Sequence, residues 1–333
     1  MKAIIPVAGR GTRLRPHTLT VPKPLVQVGG RPVISYILDD LLALGVDEIV
    51  FVVGYLRDVV RAYIEEEYPR ITSHFVVQEV QDGTAGAIHL AEPLIDEEVL
   101  IVFVDTLFDA DLSLPRTLSE EWAGIIWAKE VEDFQRFGVI LTDGDGAMTR
   151  IIEKPAEPVS RLANIGLYYI RDWRLLFEGI RHVLALSPGP GGEFFLTDAF
   201  QYMVDHGARI RTAPVGGWYD CGKVETLLET NHHLLRTARG GLSRAARIEE
   251  STLEGAVRIE AGASVVRSRL GPNVTVSEEA VVESSTLRHC IVGPGARIRG
   301  SRLRESIVGA GSRLQGASGA VNLGPDSAIS GDG

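Results

Sequence analysis

A chain of 333 residues with 45% apolar content has enough apolar surface for a core in each of two domains. Its 34 Lys and Arg stand against 44 Asp and Glu, and the net charge of −10 argues against a nucleic acid or an acidic membrane as principal partner. No apolar run reaches the roughly 20 residues of a membrane span, and Met1-Lys2 leads straight into an apolar strand, so no signal peptide is expected and the cytoplasm is the expected compartment. The two cysteines, Cys221 and Cys290, are far apart and lack His or Cys at metal spacing, which predicts neither a disulfide nor a zinc site.

In chain order, the first element is an apolar run, Ala3 to Ala8, that breaks into Gly9-Arg-Gly11-Thr12-Arg13. A buried strand that ends in two glycines and two arginines can hold a polyanion, because the glycines leave backbone N–H groups open and Arg13 supplies charge. Lys23, set between Pro22 and Pro24, adds a second cation on a stiff backbone. Leu14 stands where a dinucleotide fingerprint needs its third glycine, and no Gly-Lys-Ser/Thr of a Walker loop follows. The alternative for the glycines is a plain tight turn; Thr12, Arg13 and Lys23 in register favour phosphate binding instead.

Pro32 to Gly45 has apolar residues at helical spacing, Glu48–Val53 reads as a strand, Leu56 to Tyr68 as an amphipathic helix and His74–Gln78 as a strand. Such alternation predicts crossover units around a mostly parallel sheet, with ligands at the carboxyl ends of the strands. Gln78 ends its strand ahead of Gly83-Thr84-Ala85; its amide can pair with the imide edge of uracil or thymine, or meet guanine, and Gly83 would let a base lie against the backbone. Val99 to Val104 is a continuous apolar run that ends in Asp105, a carboxylate that rarely serves a core at such a place. Strands are expected at Gly124–Ala128, Phe137–Leu141, Ile151–Ile152 and Leu167–Ile170. Within them lies Glu153-Lys154-Pro155, where a lysine can neutralise a sugar phosphate and a carboxylate can accept from two hydroxyls. A helix is expected from Gly192-Glu193 to Gly207, Asp220 follows Trp218-Tyr219, and another helix runs from Lys223 to Arg239. Cys221 as a thiol nucleophile lacks a His partner nearby in sequence.

Gly240-Gly241 marks a boundary between residues 1–240 and 241–333. Beyond it the segments starting at Ile259, Val276, Val292 and Val308 lie 17, 16 and 16 residues apart, with Ser251-Thr-Leu253, Ser268-Arg-Leu270, Ser285-Thr-Leu287 and Ser301-Arg-Leu303 recurring between them. Leu323 to Ile329 reads as one more rung. An apolar residue every six with small residues between resembles the hexapeptide left-handed β-helix, stacked through a continuous core.

The order Gly9-Arg-Gly-Thr-Arg-Leu-Arg-Pro16, then Lys23-Pro-Leu, Glu153-Lys-Pro and Trp218-Tyr-Asp-Cys-Gly222 resembles the signature of the sugar nucleotidyltransferases, which make nucleoside-diphosphate sugars. The resemblance implies an α/β fold, a Rossmann-like mostly parallel mixed sheet with flanking helices, followed by a left-handed parallel β-helix. It places Ala8, Gly9, Gly11, Thr12, Arg13, Gln78, Gly83 and Thr84 on the nucleotide, and Gly138, Glu153, Lys154 and Asn164 on the sugar phosphate. It makes Arg13, Lys23 and Lys154 the catalytic cations, and Asp105 and Asp220 the ligands of Mg2+. Asp105 stands in Val-Asp-Thr rather than the usual Gly-Asp-Asn, and Gly191 replaces the arginine that thymidylyltransferases usually place before Gly-Glu.

The expected reaction is transfer of a nucleoside monophosphate unit from an NTP to a hexose 1-phosphate, with release of pyrophosphate. A phosphate monoester is already an anionic nucleophile, so positioning and charge neutralisation should dominate and no general base is required. dTTP with glucose 1-phosphate leads on overall likeness, followed by UTP with glucose or N-acetylglucosamine 1-phosphate and GTP with mannose 1-phosphate. Two alternatives of other classes are a bifunctional enzyme with acyltransfer at His289 of the β-helix, and a non-catalytic NDP-sugar sensor; the retained set of Arg13, Lys23, Asp105, Lys154 and Asp220 argues against the sensor. A homo-oligomer is expected, because extended β-helix domains commonly associate side by side.

Overall fold

A computed structural model describes residues 1–237 and 241–331. Two compact units emerge, one formed by Met1–Gly9 with Ile37–Trp218, the other by Arg10–Tyr36 with the chain from Tyr219 onward. The expected boundary at Gly240 lies outside the described residues.

The first unit is built on a nine-stranded mixed sheet. Its strands are β1 (Lys2–Pro6), β2 (Glu48–Val53), β3 (Thr72–Val77), β4 (Val99–Val102), β5 (Gly124–Glu130), β6 (Gly138–Thr142), β7 (Met148–Glu153), β8 (Leu162–Ile170) and β9 (Ile210–Pro214). The spatial order is β7-β6-β8-β4-β1-β2-β3, with β5 paired to β8 and β9 to β5. β1, β2, β3 and β4 run parallel, as the alternation of strands and helices requires, while β8 is antiparallel to β4 and β5. Parallel strands need crossovers, and α1 (Val33–Leu44), α2 (Arg57–Glu67) and α3 (Thr84–His89) lie in the three of them.

Because β1 and β4 are covered on both faces, they read as unbroken apolar runs, and Ile4, Ile5, Leu100 and Ile101 are fully buried. The main core lies where β1, β2, β4 and β5 meet α3, α4 (Trp173–Leu184) and α5 (Leu196–Asp205), with Ile88, Ile126, Phe177 and Phe200 at its centre. Helix α4 falls outside the segments read from periodicity. Its N-terminus is set by Asp172, whose carboxylate accepts from the backbone N–H of Leu175 at 3.1 Å. The strand expected through Val104 ends at Val102, although the N–H of Phe103 still reaches across to the carbonyl of Gly166 at 2.9 Å.

The second unit holds three 3-10 turns, Thr12–Leu14, His17–Leu19 and Lys23–Leu25, a hairpin of Gln27–Val28 with Arg31–Pro32, helix Val224–Arg236 and a parallel β-helix. The repeat is seen directly in the ladders. Ile248, Val265, Val282, Ile298, Leu314 and Ile329 stack in register on one face, and Ile259, Val276, Val292, Val308 and Leu323 on another. Except for the exposed Ile329 at the end of the stack, their side chains form or pack against one continuous core. The serines between them form a second ladder: Ser251 Oγ accepts from Ser268 N–H at 3.0 Å, Ser268 Oγ from Ser285 N–H at 3.1 Å and Ser285 Oγ from Ser301 N–H at 3.1 Å. Each corner thereby satisfies a backbone donor that no strand reaches. Among the described residues, no helix is long and apolar enough to cross a membrane.

Candidate active site

The parallel strands bring their carboxyl ends into one row. The N–H of Val7, after β1, bonds to the carbonyl of Val52, and that of Gln78, after β3, to the carbonyl of Val53, each at 2.8 Å. A Cβ on Gly54 would come within 2.9 Å of Ala8, so β1 and β2 close together at the rim. Ala8, Gly9 and Gln78 stand on this edge, with Asp105 just past β4. Nothing lies within 4 Å of the place a Cβ would occupy on Gly9, which suits a backbone approached by a phosphate.

Gln78 and Gly83, the residues expected to meet a base, sit in one short segment after β3. Gln78 is buried, and its amide nitrogen donates to Asp82 Oδ1 at 3.0 Å and to the Gly83 carbonyl at 3.4 Å. Gln81, four positions from the expected turn residue Ala85, donates to the Ala8 carbonyl at 3.3 Å and so ties the base segment to the first loop. Gly83 also has a packing reason to be glycine. At φ 111° it lies against the backbone of Phe194, whose carbonyl would be 2.4 Å from a Cβ there. Thr84 accepts from the N–H of Leu196 at 2.9 Å through its hydroxyl, fixing the start of α5.

The residues expected to meet a sugar phosphate lie close together. Glu153 and Gly138 are paired across β7 and β6. A Cβ on Gly138 would fall 2.4 Å from Asn164 Nδ2, 2.8 Å from Glu153 Oε2 and 2.9 Å from Thr197 Cγ2, so only glycine fits. Asn164 Nδ2 donates to the Gly138 carbonyl at 2.9 Å, Tyr168 donates to Asn164 Oδ1, and Thr197 Oγ1 donates to Glu153 Oε2 at 3.2 Å. Lys154 Nζ lies 3.8 Å from Glu153 Oε1 and 4.9 Å from the centroid of the Phe195 ring. Burial raises the Glu153 carboxyl above its ordinary value; Lys154 and Thr197 pull it down, and the charges of Asp198 and Glu193 add to the rise. Tyr168 is raised by burial and then by the charges of Glu153 and Asp105. Sequence reasoning left Tyr168 and Thr197 out of the site. The signal for Thr197 was present, in Gly192-Glu193 to Asp198. Tyr168 reads as one more apolar strand residue.

The cation loop is assembled within the second unit. Gly11 has φ 60°, and a Cβ there would meet Lys23 Cβ and Thr18 Cγ2, each at 3.0 Å. Glycine is therefore required both by the left-handed backbone and by the close return of the chain at Lys23. Thr18 Oγ1 donates to the Gly11 carbonyl at 2.7 Å, and Thr12 opens the turn that carries Arg13. The Arg13 guanidinium lies against Gly222, with Nη2 3.0 Å from where a Cβ would stand. Asp220 is held by its neighbours: Oδ1 accepts from the Gly222 N–H at 2.7 Å and Oδ2 from Thr226 Oγ1 at 3.1 Å. A carboxylate has lone pairs beyond these two bonds, so Asp220 can also face a cation. Among the described residues, no three His, Cys, Asp or Glu side chains gather as a ready-made metal cluster. Carboxylate oxygens of the kind that Asp105 and Asp220 each carry are the donors a hard divalent cation such as Mg2+ takes.

The remaining reactive groups are quiet. Cys221 and Cys290 are buried, and burial pushes the Cys290 thiol up to about 11. His289 Nδ1 accepts from Asn273 Nδ2 at 3.0 Å, a structural bond within the β-helix.

Comparison with known proteins agrees with this geometry. The family described as nucleotidyl transferase matches residues 2–237. A UTP--glucose-1-phosphate uridylyltransferase, AglF, of Haloferax volcanii is 32% identical over 239 residues, covering 70% of this chain and 96% of that protein. A glucose-1-phosphate thymidylyltransferase of Streptomyces griseus is 30% identical over 319 residues, covering 89% of this chain and 88% of that protein. The bifunctional protein GlmU of Methanococcus aeolicus is 32% identical over 267 residues, of which the match spans 62% of GlmU. A crystal structure of UDP-glucose pyrophosphorylase with UDP-glucose superposes with a TM-score of 0.62 at 25% identity, over 71% of this chain and 98% of that one. The expected signature, the sheet and these relatives agree: the chain belongs to the nucleotidyl transferase family and is a sugar-1-phosphate nucleotidyltransferase.

Proposed function

We propose that the enzyme joins dTTP and glucose 1-phosphate, forming dTDP-glucose and pyrophosphate. The observation that carries this choice of substrates is the Streptomyces griseus thymidylyltransferase, whose match runs through the β-helix as well as the catalytic region, 319 residues in all. The geometry of Gln78 is compatible. Its amide nitrogen is engaged with Asp82 and Gly83, so it offers a base its carbonyl oxygen, an acceptor for the N3–H of thymine or uracil. The uridylyltransferase match keeps UTP as the second reading.

In this reading Arg13 and Lys23 hold the triphosphate and stabilise the leaving pyrophosphate. Lys154 orients the phosphate monoester, which attacks the α-phosphorus without a general base. Glu153, steadied by Thr197, accepts hydrogen bonds from sugar hydroxyls, and Asn164, held by Tyr168 and the Gly138 carbonyl, offers a further polar contact. Asp105 and Asp220 are the residues proposed to hold Mg2+, which when bound neutralises phosphate oxygens. The protein is proposed to act in the cytoplasm as a homo-oligomer.

The test is pyrophosphate release with Mg2+ across dTTP, UTP, GTP, CTP and ATP against glucose, galactose, mannose and N-acetylglucosamine 1-phosphates. Highest kcat/KM for dTTP with glucose 1-phosphate is expected. A clear preference for another pair overturns the substrate reading, and Lys23→Ala with full turnover overturns the role of that cation, whose loss should cost about a hundredfold or more.

A further inference from the structure

The segment that carries Arg13 and Lys23 does not stand alone in its unit. It meets the β-helix directly at one end and through the helix Val224–Arg236 at the other. Near the start, His17 is buried, and Nε2 lies 2.6 Å from Oδ1 of Asn322 in the strand Asn322–Leu323, a closing rung of the β-helix. An amide oxygen can only accept, so the proton sits on Nε2; burial pushes His17 below its ordinary value and keeps the ring neutral. The other half of the same amide, Asn322 Nδ2, reaches the Arg15 carbonyl at 3.5 Å. One residue beyond Leu323, Gly324 lets the rung approach Pro16: a Cβ there would stand 3.0 Å from Pro16 Cβ.

At the far end, Asn231 of the helix Val224–Arg236 accepts through Oδ1 from the Gly29 N–H at 2.9 Å and from Thr275 Oγ1 at 2.7 Å, Thr275 lying in a β-helix strand. All three groups are buried. Ahead of and between these two anchor points, up to the strand Gln27–Val28, the chain makes short turns, closed by bonds such as Leu14 N–H to Gly11 O at 3.0 Å, Leu19 N–H to Pro16 O at 3.1 Å and Leu25 N–H to Pro22 O at 2.8 Å. Isolated turns of this length have little stability of their own.

We propose that the β-helix is the jig for the phosphate-binding loop, and that Asn322, more than three hundred residues from Arg13, is a positioning residue for the nucleotidyl transfer. The C-terminal domain then has a part in the reaction itself: it holds the backbone of residues 15–17 so that Arg13 meets the triphosphate already in place. The entropy of ordering that loop is met at folding rather than at each substrate encounter. The kinetic part rests on the transferase reading above; the mechanical part does not.

Hydrogen–deuterium exchange and steady-state kinetics on the full chain separate the two. Asn322→Ala should accelerate exchange of the Leu14, Leu19 and Val21 amides by roughly tenfold, the worth of one buried hydrogen bond, and lower kcat/KM for the NTP by a similar factor with KM for the sugar phosphate unchanged. Asn322→Asp, which keeps the acceptor, should restore both. Unchanged exchange in the loop, or acceleration confined to residues 318–331, overturns the proposal. So does faster loop exchange with wild-type kinetics on a pair that the wild type turns over. If the wild type releases pyrophosphate from no pair, the transferase substrates fall while the exchange arm still decides the anchoring. Should Asn322→Ala fail to fold, His17→Phe breaks the same bond from the loop side and is read in the same way.

Discussion

The hydroxyl of Thr197, at the start of α5, donates to Oε2 of Glu153, at the end of β7, across 3.2 Å. One helix thus orients the carboxylate that a strand delivers. Thr197→Val should raise KM for the hexose 1-phosphate by roughly tenfold, the worth of a hydrogen bond to a charged group. KM for the NTP should stay near wild type and Thr197→Ser should recover most of the loss. Equal effects on both substrates in initial-rate kinetics would contradict the assignment.

Gly222 touches both charged partners of its unit. A methyl group there would stand 2.8 Å from Asp220 Oδ1 and 3.0 Å from Arg13 Nη2, closer than packed atoms tolerate. Gly222→Ala is expected to push the guanidinium aside and to lower kcat by about tenfold or more, with some loss of thermal stability because the methyl also crowds the half-buried, hydrogen-bonded carboxylate of Asp220. Unaltered turnover would show that Arg13 works from another position.

Glu153 carries a cost of folding that serves binding. Its carboxyl is raised mainly by burial, so the folded protein holds this proton to higher pH than the unfolded chain does. The stability linked to it is full below the ordinary carboxylate value of 4.5 and is lost as pH rises through the raised one. At neutral pH, Glu153→Gln should therefore melt at or above the wild-type temperature while its KM for hexose 1-phosphate rises at least about tenfold. Thermal melts at several pH values check the first half; a variant that is less stable at neutral than at acid pH relative to wild type would contradict it.

The serine ladder makes a stability prediction. Ser285 Oγ donates to the Glu283 carbonyl at 2.7 Å and accepts from the Ser301 N–H at 3.1 Å. Ser285→Ala leaves that buried N–H without its acceptor and should destabilise the β-helix by about 1–3 kcal/mol. Chemical denaturation followed by circular dichroism measures it, and an effect no larger than that of an exposed substitution such as Ser284→Ala would show the ladder to be incidental.

The catalytic signature was legible because its parts are local in the chain. A parallel strand must be apolar along its length, and the residue after it falls at the ligand edge, so Ala8-Gly9, Gln78 and Asp105 could be placed before any coordinates. Glu153-Lys154 and the 16- to 17-residue repeat were legible for the same reason, and the repeat predicted the apolar stack, whereas the hydrogen bonds along the recurring serines emerged only in the structure. The roles of Tyr168 and Gly83 were not. Tyr168 points its hydroxyl at Asn164 from a strand whose pattern is simply apolar, and Gly83 is glycine because the Phe194 backbone, over a hundred residues away, presses on it.

The sequence by itself determined the family, the two kinds of fold and the residue types of the chemistry, since these rest on periodicity, turn residues and short motifs. Only the tertiary structure decided which groups share a neighbourhood. It set Thr197 on Glu153, Arg13 against Gly222 beside Asp220, and Arg10–Tyr36 in one compact unit with the chain from Tyr219 onward rather than with the strand that precedes it. The reason is physical: such contacts arise from burying surfaces distant in the chain, and a hydrogen bond such as that of His17 to Asn322 leaves no mark on the residues between them.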